Sequence, residues 1–238
     1  MYENQFRNDS PSYNSYSSLT STVSNTMKKV YLKMTLALVV TALTSFLCAS
    51  SHAFLSFVLT NGWFMIAVVI AELFLVYRIS SAIQRMSNGT ATLLFYLYSI
   101  LNGLMLSTIF LAYSIDAIAK TFLITALTFG AMSIYGYFTN RDLSRVGSFL
   151  FMALIGLMIA MLVNIFLKSS SLDWIISIAG VLIFVGLTAW DTQQIKTMAQ
   201  QAPGEAVSRL ATLGALTLYL DFINLFLFLL RIFGGNRD

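Results

Sequence analysis

Charged residues and prolines are scarce in this chain. Only 10% of the 238 residues are charged, whereas a soluble domain carries roughly 25%, so a water-exposed surface is excluded. Pro11 and Pro203 are the only prolines, and neither interrupts a long apolar stretch. The apolar stretches can therefore form continuous helices.

Cysteine and histidine are each represented once, by Cys48 and His52. An intramolecular disulfide and a zinc cluster are therefore excluded, and we interpret Cys48 as a packing residue. The sequence lacks an HExxH motif, a phosphate-binding glycine loop and an intramembrane serine–histidine pair, so we expect no enzyme and no cofactor. The net charge of +4 does not indicate nucleic-acid binding, because the basic residues lie mostly between the apolar runs.

Apolar runs of about 20 residues dominate the sequence instead, with 58% hydrophobic residues and a mean hydropathy of +0.78. Runs of this length predict transmembrane helices, and they lack the alternation of a membrane barrel. We predict an all-α integral membrane protein with a seven-transmembrane-helix bundle over 27–238. The predicted spans lie near 30–50, 62–80, 90–112, 118–138, 146–167, 173–192 and 210–232.

Polar sequence outside these runs predicts a disordered tail over 1–26, and a long polar connection over 193–209.

Basic residues predict the orientation, because cytoplasmic loops are enriched in them. A cytoplasmic N-terminus places ten inside: Arg7, Lys28, Lys29, Lys33, Arg78, Arg85, Arg141, Arg145, Lys196 and Arg209. Four then lie outside: Lys120, Lys168, Arg231 and Arg237. The C-terminus lies outside with seven full spans, or inside if the last segment is re-entrant.

The seventh run contains Asp221 at its middle, and an uncompensated carboxylate there costs several kcal/mol. Helical spacing places Asn224 and Arg231 within about 80° of Asp221 around the helix. This polar stripe predicts either a functional site facing the bundle interior or a buried hydrogen-bond cluster.

Asn102 and Asn164 predict interhelical hydrogen bonds, and Gly130, Gly136, Gly156 and Gly180 predict close helix packing.

Asp191 marks the end of the sixth run, where apolar sequence gives way to polar sequence. It is either an interfacial carboxylate or a partner of Asp221, since consecutive helices are antiparallel. Two facing carboxyl groups titrate as a unit, which makes the pair a candidate proton sensor.

Glu72 in the second run requires a cation, and Arg231 on another helix is the better candidate than Arg78 on its own helix. Arg78 and Arg85 share a face near the cytoplasmic side. They either snorkel towards headgroups or reach inward to the aspartates.

Two blocks carry a family resemblance: GLTAWDTQQIK (186–196) and LGALTLYLDFINLFLFLLRIFG (213–234). They resemble the Bax inhibitor-1 family, the transmembrane Bax inhibitor motif proteins, and FGAMSIYGYFTNRDLSRVGSFL (129–150) is similar to that family's central segment. The resemblance covers roughly 27–234.

The resemblance implies seven helices with the last one central, and a calcium leak that responds to pH. It also implies protection against stress or cell death. The family's aspartate dyad maps onto Asp191 and Asp221, and its glutamate–arginine pair maps onto Glu72 and Arg231. Arg85 or Arg78 is a possible latch for the dyad.

Calcium prefers six to eight oxygen ligands, so Asp191 and Asp221 predict only a weak, transient metal site, with calcium as a transported ion. Weak binding suits passage, because the ion must also leave. The expected partners are calcium, protons, the lipid bilayer and other membrane proteins.

Two other function classes compete with a calcium leak. A non-conducting regulator would bind membrane proteins through the polar tail and the 193–209 segment. An intramembrane aspartyl protease needs two aspartates on adjacent helices, but Tyr219 and Leu220 stand where such enzymes have Gly-x-Gly. The short chain and minimal loops favour a bacterial cytoplasmic membrane, with the endoplasmic reticulum as the alternative.

Overall fold

The computed structural model describes residues 13–83, 85–201 and 206–235, and these residues form helices and short connections without a strand. The helices, in chain order, are α1 (Tyr13–Ala49), α2 (His52–Thr60), α3 (Gly62–Ala82), α4 (Asn88–Leu106), α5 (Ile109–Ala112), α6 (Ile115–Phe138), α7 (Ser144–Leu167), α8 (Ser170–Gln201) and α9 (Ala206–Phe233).

Seven of the described helical segments are long and apolar enough to cross a membrane. Six of them lie in α1, α3, α6, α7, α8 and α9, and the seventh combines α4 with α5. Every predicted run coincides with one of these segments, so the all-α membrane bundle is confirmed. The short helix α2 is an additional element between the first two spans.

The first helix begins earlier than the sequence predicted. Residues 13–26, assigned to a disordered tail, are helical and continuous with the first span, whereas residues 1–12 lie outside the described part. Val23, Thr26, Met27 and Val30 are all buried. Their spacing of three and four residues places them on one helical face, and this face packs against the bundle, which explains the error.

The sixth span is also longer than predicted, because α8 continues through the segment assigned to a polar connection as far as Gln201. The Gln193 amide bonds the 139–143 loop: its Oε1 accepts from Leu143 N at 2.9 Å, and its Nε2 donates to Arg141 O at 2.8 Å. Lys196 Nζ donates to Tyr137 O at 2.7 Å. Polar side chains therefore hold this extension against its neighbours, and residues 202–205 lie outside the description.

The last helix lies at the centre of the bundle. In its most apolar 18-residue window 72% of residues are buried, against at most 44% in any other described span. It packs closely against α1, α4, α6 and α8. A helix that is apolar on all sides is expected to be surrounded by protein, and the central position implied by the family resemblance is confirmed.

Close helix approach depends on particular glycines. A Cβ at Gly136 would overlap the backbone of Ala189, and one at Gly180 would overlap the Phe228 ring. By contrast, a Cβ at Gly130 or Gly156 would meet no atom within 4 Å. The packing prediction is therefore confirmed for the first two glycines and wrong for the other two.

Candidate functional site

Two carboxyl groups meet between the sixth span and the central helix. Asp191 on α8 and Asp221 on α9 face each other, and their side chains interact directly. Asp221 is only 5% exposed. The structure therefore brings together the two aspartates that the sequence singled out, inside the membrane-spanning part of the protein.

This pair has few compensating partners. Asp221 Oδ2 is buried without a hydrogen bond, and so are Trp190 Nε1 and Thr192 Oγ1 on either side of Asp191. In the part of the chain that the structure describes, neither carboxyl group forms a salt bridge. Most buried polar atoms in proteins are partnered, so the unpartnered Asp221 carboxyl oxygen is unusual.

The acidic ligands for a permanent metal site are not assembled here. Across the described residues, no group of three or more His, Cys, Asp or Glu side chains lies close enough to hold a metal ion. Two carboxyl groups supply fewer oxygens than the six to eight that calcium prefers.

The opposite face of α9 carries a second polar cluster, which is well partnered. The Tyr219 hydroxyl donates to Asn102 Oδ1 at 3.1 Å and lies 2.6 Å from Thr41 Oγ1. Asn102 Nδ2 in turn donates to Glu72 Oε1 at 3.4 Å. These four side chains connect α1, α3, α4 and α9 through hydrogen bonds, which confirms the interhelical role predicted for Asn102.

The predicted Glu72–Arg231 ion pair is wrong in this structure. Arg231 Nη1 lies 3.8 Å from Asp173 Oδ1, and its guanidinium stacks 5.5 Å from the centre of the Phe228 ring. Glu72 lies on α3, which packs mainly against α4 and α2, and it forms no salt bridge with a described cation. Asn102 takes the place of the arginine as its partner.

The predicted polar stripe of the last helix does not converge on the dyad. Asn224 Nδ2 donates to Leu220 O of its own helix at 2.8 Å, and the Arg231 side chain is 37% exposed. Asn164 Oδ1 accepts from Ser169 N in the connection between α7 and α8. It therefore caps a turn instead of joining two spans.

The possible latch arginines also lie away from the dyad. Arg78 and Arg85 are both exposed, the former on α3 and the latter in the turn that follows it. Neither forms a salt bridge with a described carboxylate. The snorkelling interpretation fits these positions, whereas a latch on Asp191 or Asp221 is not formed here.

One polar contact was missed by the sequence analysis. Lys33 Nζ donates to Asn88 Oδ1 at 3.2 Å, to Thr92 Oγ1 at 2.7 Å and to Thr212 Oγ1. The distribution of basic residues predicts for Lys33 only a position on the cytoplasmic side. A lysine inside an apolar run was the available signal, since ionisable residues there usually face partners in the bundle.

Comparison with known proteins identifies the family. A family model described as "Inhibitor of apoptosis-promoting Bax1" matches residues 23–238. The chain belongs to the Bax inhibitor-1 family. Among its relatives, the inner membrane protein YbhL of Escherichia coli K12 is 53% identical over 214 residues, which cover 89% of this chain and 92% of the relative.

Other bacterial relatives have similar coverage. An uncharacterized protein of Borreliella burgdorferi is 44% identical over 214 residues, covering 89% of this chain and 92% of the relative. The uncharacterized protein RP147 of Rickettsia prowazekii is 46% identical over 213 residues, covering 89% and 90%. The Bax inhibitor-1 resemblance of the sequence blocks is thereby confirmed over nearly the whole chain.

Proposed function

We propose that this Bax inhibitor-1 family protein is a pH-sensitive calcium leak pathway in which Asp191 and Asp221 are the proton sensor. The observation that carries the proposal is the facing pair of carboxyl groups at membrane depth, of which Asp221 is buried and Asp191 is half-buried, without a cationic partner among the described residues. Ionisable residues at such depth mark ion pathways and proton relays. The proposal assigns the aspartates a role in conduction and no catalytic step.

Protonation changes this pair in two ways. When both groups are ionised they repel each other, and together they attract a divalent cation. A shared proton removes the repulsion between α8 and α9 and weakens the attraction for calcium. Because the pair lies between α8 and the central helix α9, either change acts on the packing through which an ion would pass.

The membrane in which this pathway works is proposed to be the bacterial cytoplasmic membrane, with the N-terminus inside. The relative from E. coli is named an inner membrane protein. The ten-to-four distribution of basic residues supports the orientation.

A liposome assay tests the calcium pathway. Purified protein is reconstituted into vesicles that enclose a calcium-sensitive dye, and calcium entry is followed between pH 5 and 8. We expect the wild-type flux to change with pH and the Asp191→Asn and Asp221→Asn variants to lose this change. The reason is that each substitution removes one of the two groups that share the proton.

Asp142→Asn serves as the matched control, because Asp142 is an exposed carboxylate in the 139–143 loop. Hydrogen bonds from the Ser144 hydroxyl and N–H hold the pKa of Asp142 below its ordinary value. This group therefore stays ionised throughout the assay, and its replacement should leave the pH response unchanged. Equal loss of the response in all three variants would contradict the assignment to the dyad.

A non-conducting regulator is the second candidate. The matching family model carries the description of an inhibitor of another protein, and α8 presents polar turns near the 139–143 loop. Only a conducting protein moves calcium without partners. Folded protein that gives no flux above empty vesicles at any pH would therefore rule out the leak and favour the regulator.

A further inference from the structure

A lateral crevice lies between the first and fourth spans, on the side of the membrane that contains the N-terminal lysines. Its volume is about 620 Å³, and its walls include Lys28 and Tyr31 of α1 and Gly130, Ser133 and Tyr137 of α6. Both helices pack against α8 and α9, and the crevice separates them. In a bilayer, an open groove in the lipid-facing surface must be filled by lipid or by another helix.

The mouth of the crevice is basic. Lys28 lines the crevice and is exposed. Lys196 is outside the lining, but its ammonium lies 5.0 Å from the centre of the ring of the lining residue Tyr137 and bonds the Tyr137 carbonyl. Neither lysine forms a salt bridge with a described carboxylate, and the residues that line the crevice include no acidic side chain. This charge is complementary to an anionic headgroup.

The lining residues of α6 follow one another in depth. Gly130 lies about two helical turns, or about 10 Å, deeper than Tyr137, and a Cβ added at Gly130 would meet no atom within 4 Å. The crevice therefore combines a polar outer end with open space deeper in the membrane. A phospholipid has the same order along its length, with the phosphate outermost and the acyl chains deepest.

We propose that this crevice binds one anionic phospholipid of the phosphatidylglycerol type. Its phosphate lies at Lys28 and Lys196, and an acyl chain runs past Tyr31 and Gly130. Basic pockets between transmembrane helices on the cytoplasmic side bind anionic headgroups in this way. The proposal does not depend on calcium conduction, because none of its residues belongs to the dyad.

Native mass spectrometry on the delipidated full-length protein tests the site. The protein is titrated with phosphatidylglycerol or with phosphatidylcholine of identical acyl chains. We expect tighter binding of the anionic lipid, and about a fivefold loss of this binding in Lys28→Gln, as for one lysine at an anionic membrane surface. Gly130→Leu should weaken both lipids, because the new side chain fills the space of the acyl chain.

Two matched controls distinguish the crevice from general effects. Lys29→Gln removes an exposed charge next to Lys28 but outside the crevice lining. Gly156→Leu places the same side chain at another glycine with open space around it, on α7. Both substitutions should leave lipid binding unchanged. The open space around Gly130 also means that Gly130→Leu should fold as well as Gly156→Leu.

Three results would overturn the proposal. Equal binding of the two lipids would indicate ordinary annular lipid, and an equal loss in Lys29→Gln would indicate a diffuse surface charge. A photoreactive amino acid at Ile134, which lines the crevice, should form lipid adducts in cell membranes. Protein–protein adducts there instead would identify a partner helix as the occupant.

Discussion

The two polar clusters on opposite faces of the central helix differ in how well their atoms are partnered. Tyr219 and Asp221 are two residues apart, so their side chains point about 200° apart around α9. The Tyr219 hydroxyl contacts both Thr41 and Asn102. Asp221 Oδ2 is buried with no hydrogen bond at all, and the carboxyl group faces another acid.

This difference is the one we expect between a structural cluster and the proposed proton sensor. A fully connected hydrogen-bond network holds neighbouring helices in one arrangement, and the Tyr219 network joins four of them. Unpartnered buried carboxyl groups reduce stability, and such violations of good packing concentrate at functional sites. We therefore expect substitutions on the two faces to have opposite effects on stability and on the pH response.

The largest stability effect is expected for Tyr219→Phe. This variant keeps the ring but leaves Asn102 Oδ1 without its donor in a buried site, which should cost about 1–2 kcal/mol. Reversible unfolding in SDS titrations measures the loss. The pH dependence of calcium flux should stay as in the wild type, since the dyad is untouched.

Tyr135→Phe is the matched control for this loss, because Tyr135 lies on α6 with 45% of its surface exposed. It should unfold like the wild type. A Tyr219→Phe variant that is as stable as the control, or that loses its pH response, would remove the distinction between the two faces.

Asp221→Asn should have a smaller effect of the opposite sign. In the proposed sensor both carboxyl groups are ionised at pH 8 and repel each other, whereas an asparagine amide at position 221 would donate to Asp191, so the variant should be more stable by about 1 kcal/mol. Near pH 5 a shared proton relieves the wild-type repulsion, and the advantage should shrink. The same SDS titrations at both pH values measure this change.

Asp173→Asn is a suitable control for this experiment, since Asp173 lies at the other end of α8 and is 53% exposed. The change in stability that Asp173→Asn causes should be the same at pH 5 and at pH 8. If Asp221→Asn instead destabilises the protein equally at both pH values, the dyad is a structural hydrogen bond and not a proton sensor.

The transmembrane helices could be predicted from the sequence, because a run of about 20 apolar residues has few alternatives to crossing the membrane. The start of α1 and the end of α8 could not be predicted in this way. Thr26 and Gln193 lie in polar stretches, and their helical state depends on contacts with distant segments. A disordered tail and a helix held by such contacts can have the same polar composition, so composition alone does not distinguish them.

The dyad was predictable for a related reason. Asp221 is costly in a membrane unless it has a partner or a function, and the adjacent antiparallel helix supplies Asp191. The Glu72 partner was not predictable, because helical spacing determines which residues share a face but not which helix that face meets. Only the packing of α3 against α4 shows that Asn102 is the partner of Glu72.

A double-mutant cycle between Glu72→Gln and Arg231→Gln tests this correction, and its expected effect is the smallest. The amide oxygen that Glu72→Gln introduces would still accept the Asn102 hydrogen bond, and the partly exposed Arg231–Asp173 pair should contribute at most about 1 kcal/mol. The two changes should add within about 0.5 kcal/mol, as expected for separated sites. The matched cycle of Arg231→Gln with Asp173→Asn should show coupling of about 0.2–1 kcal/mol. If Glu72 were coupled to Arg231 more strongly than Asp173 is, the Glu72–Arg231 ion pair predicted from the sequence would be restored. Glu72 would then belong to an ionic cluster.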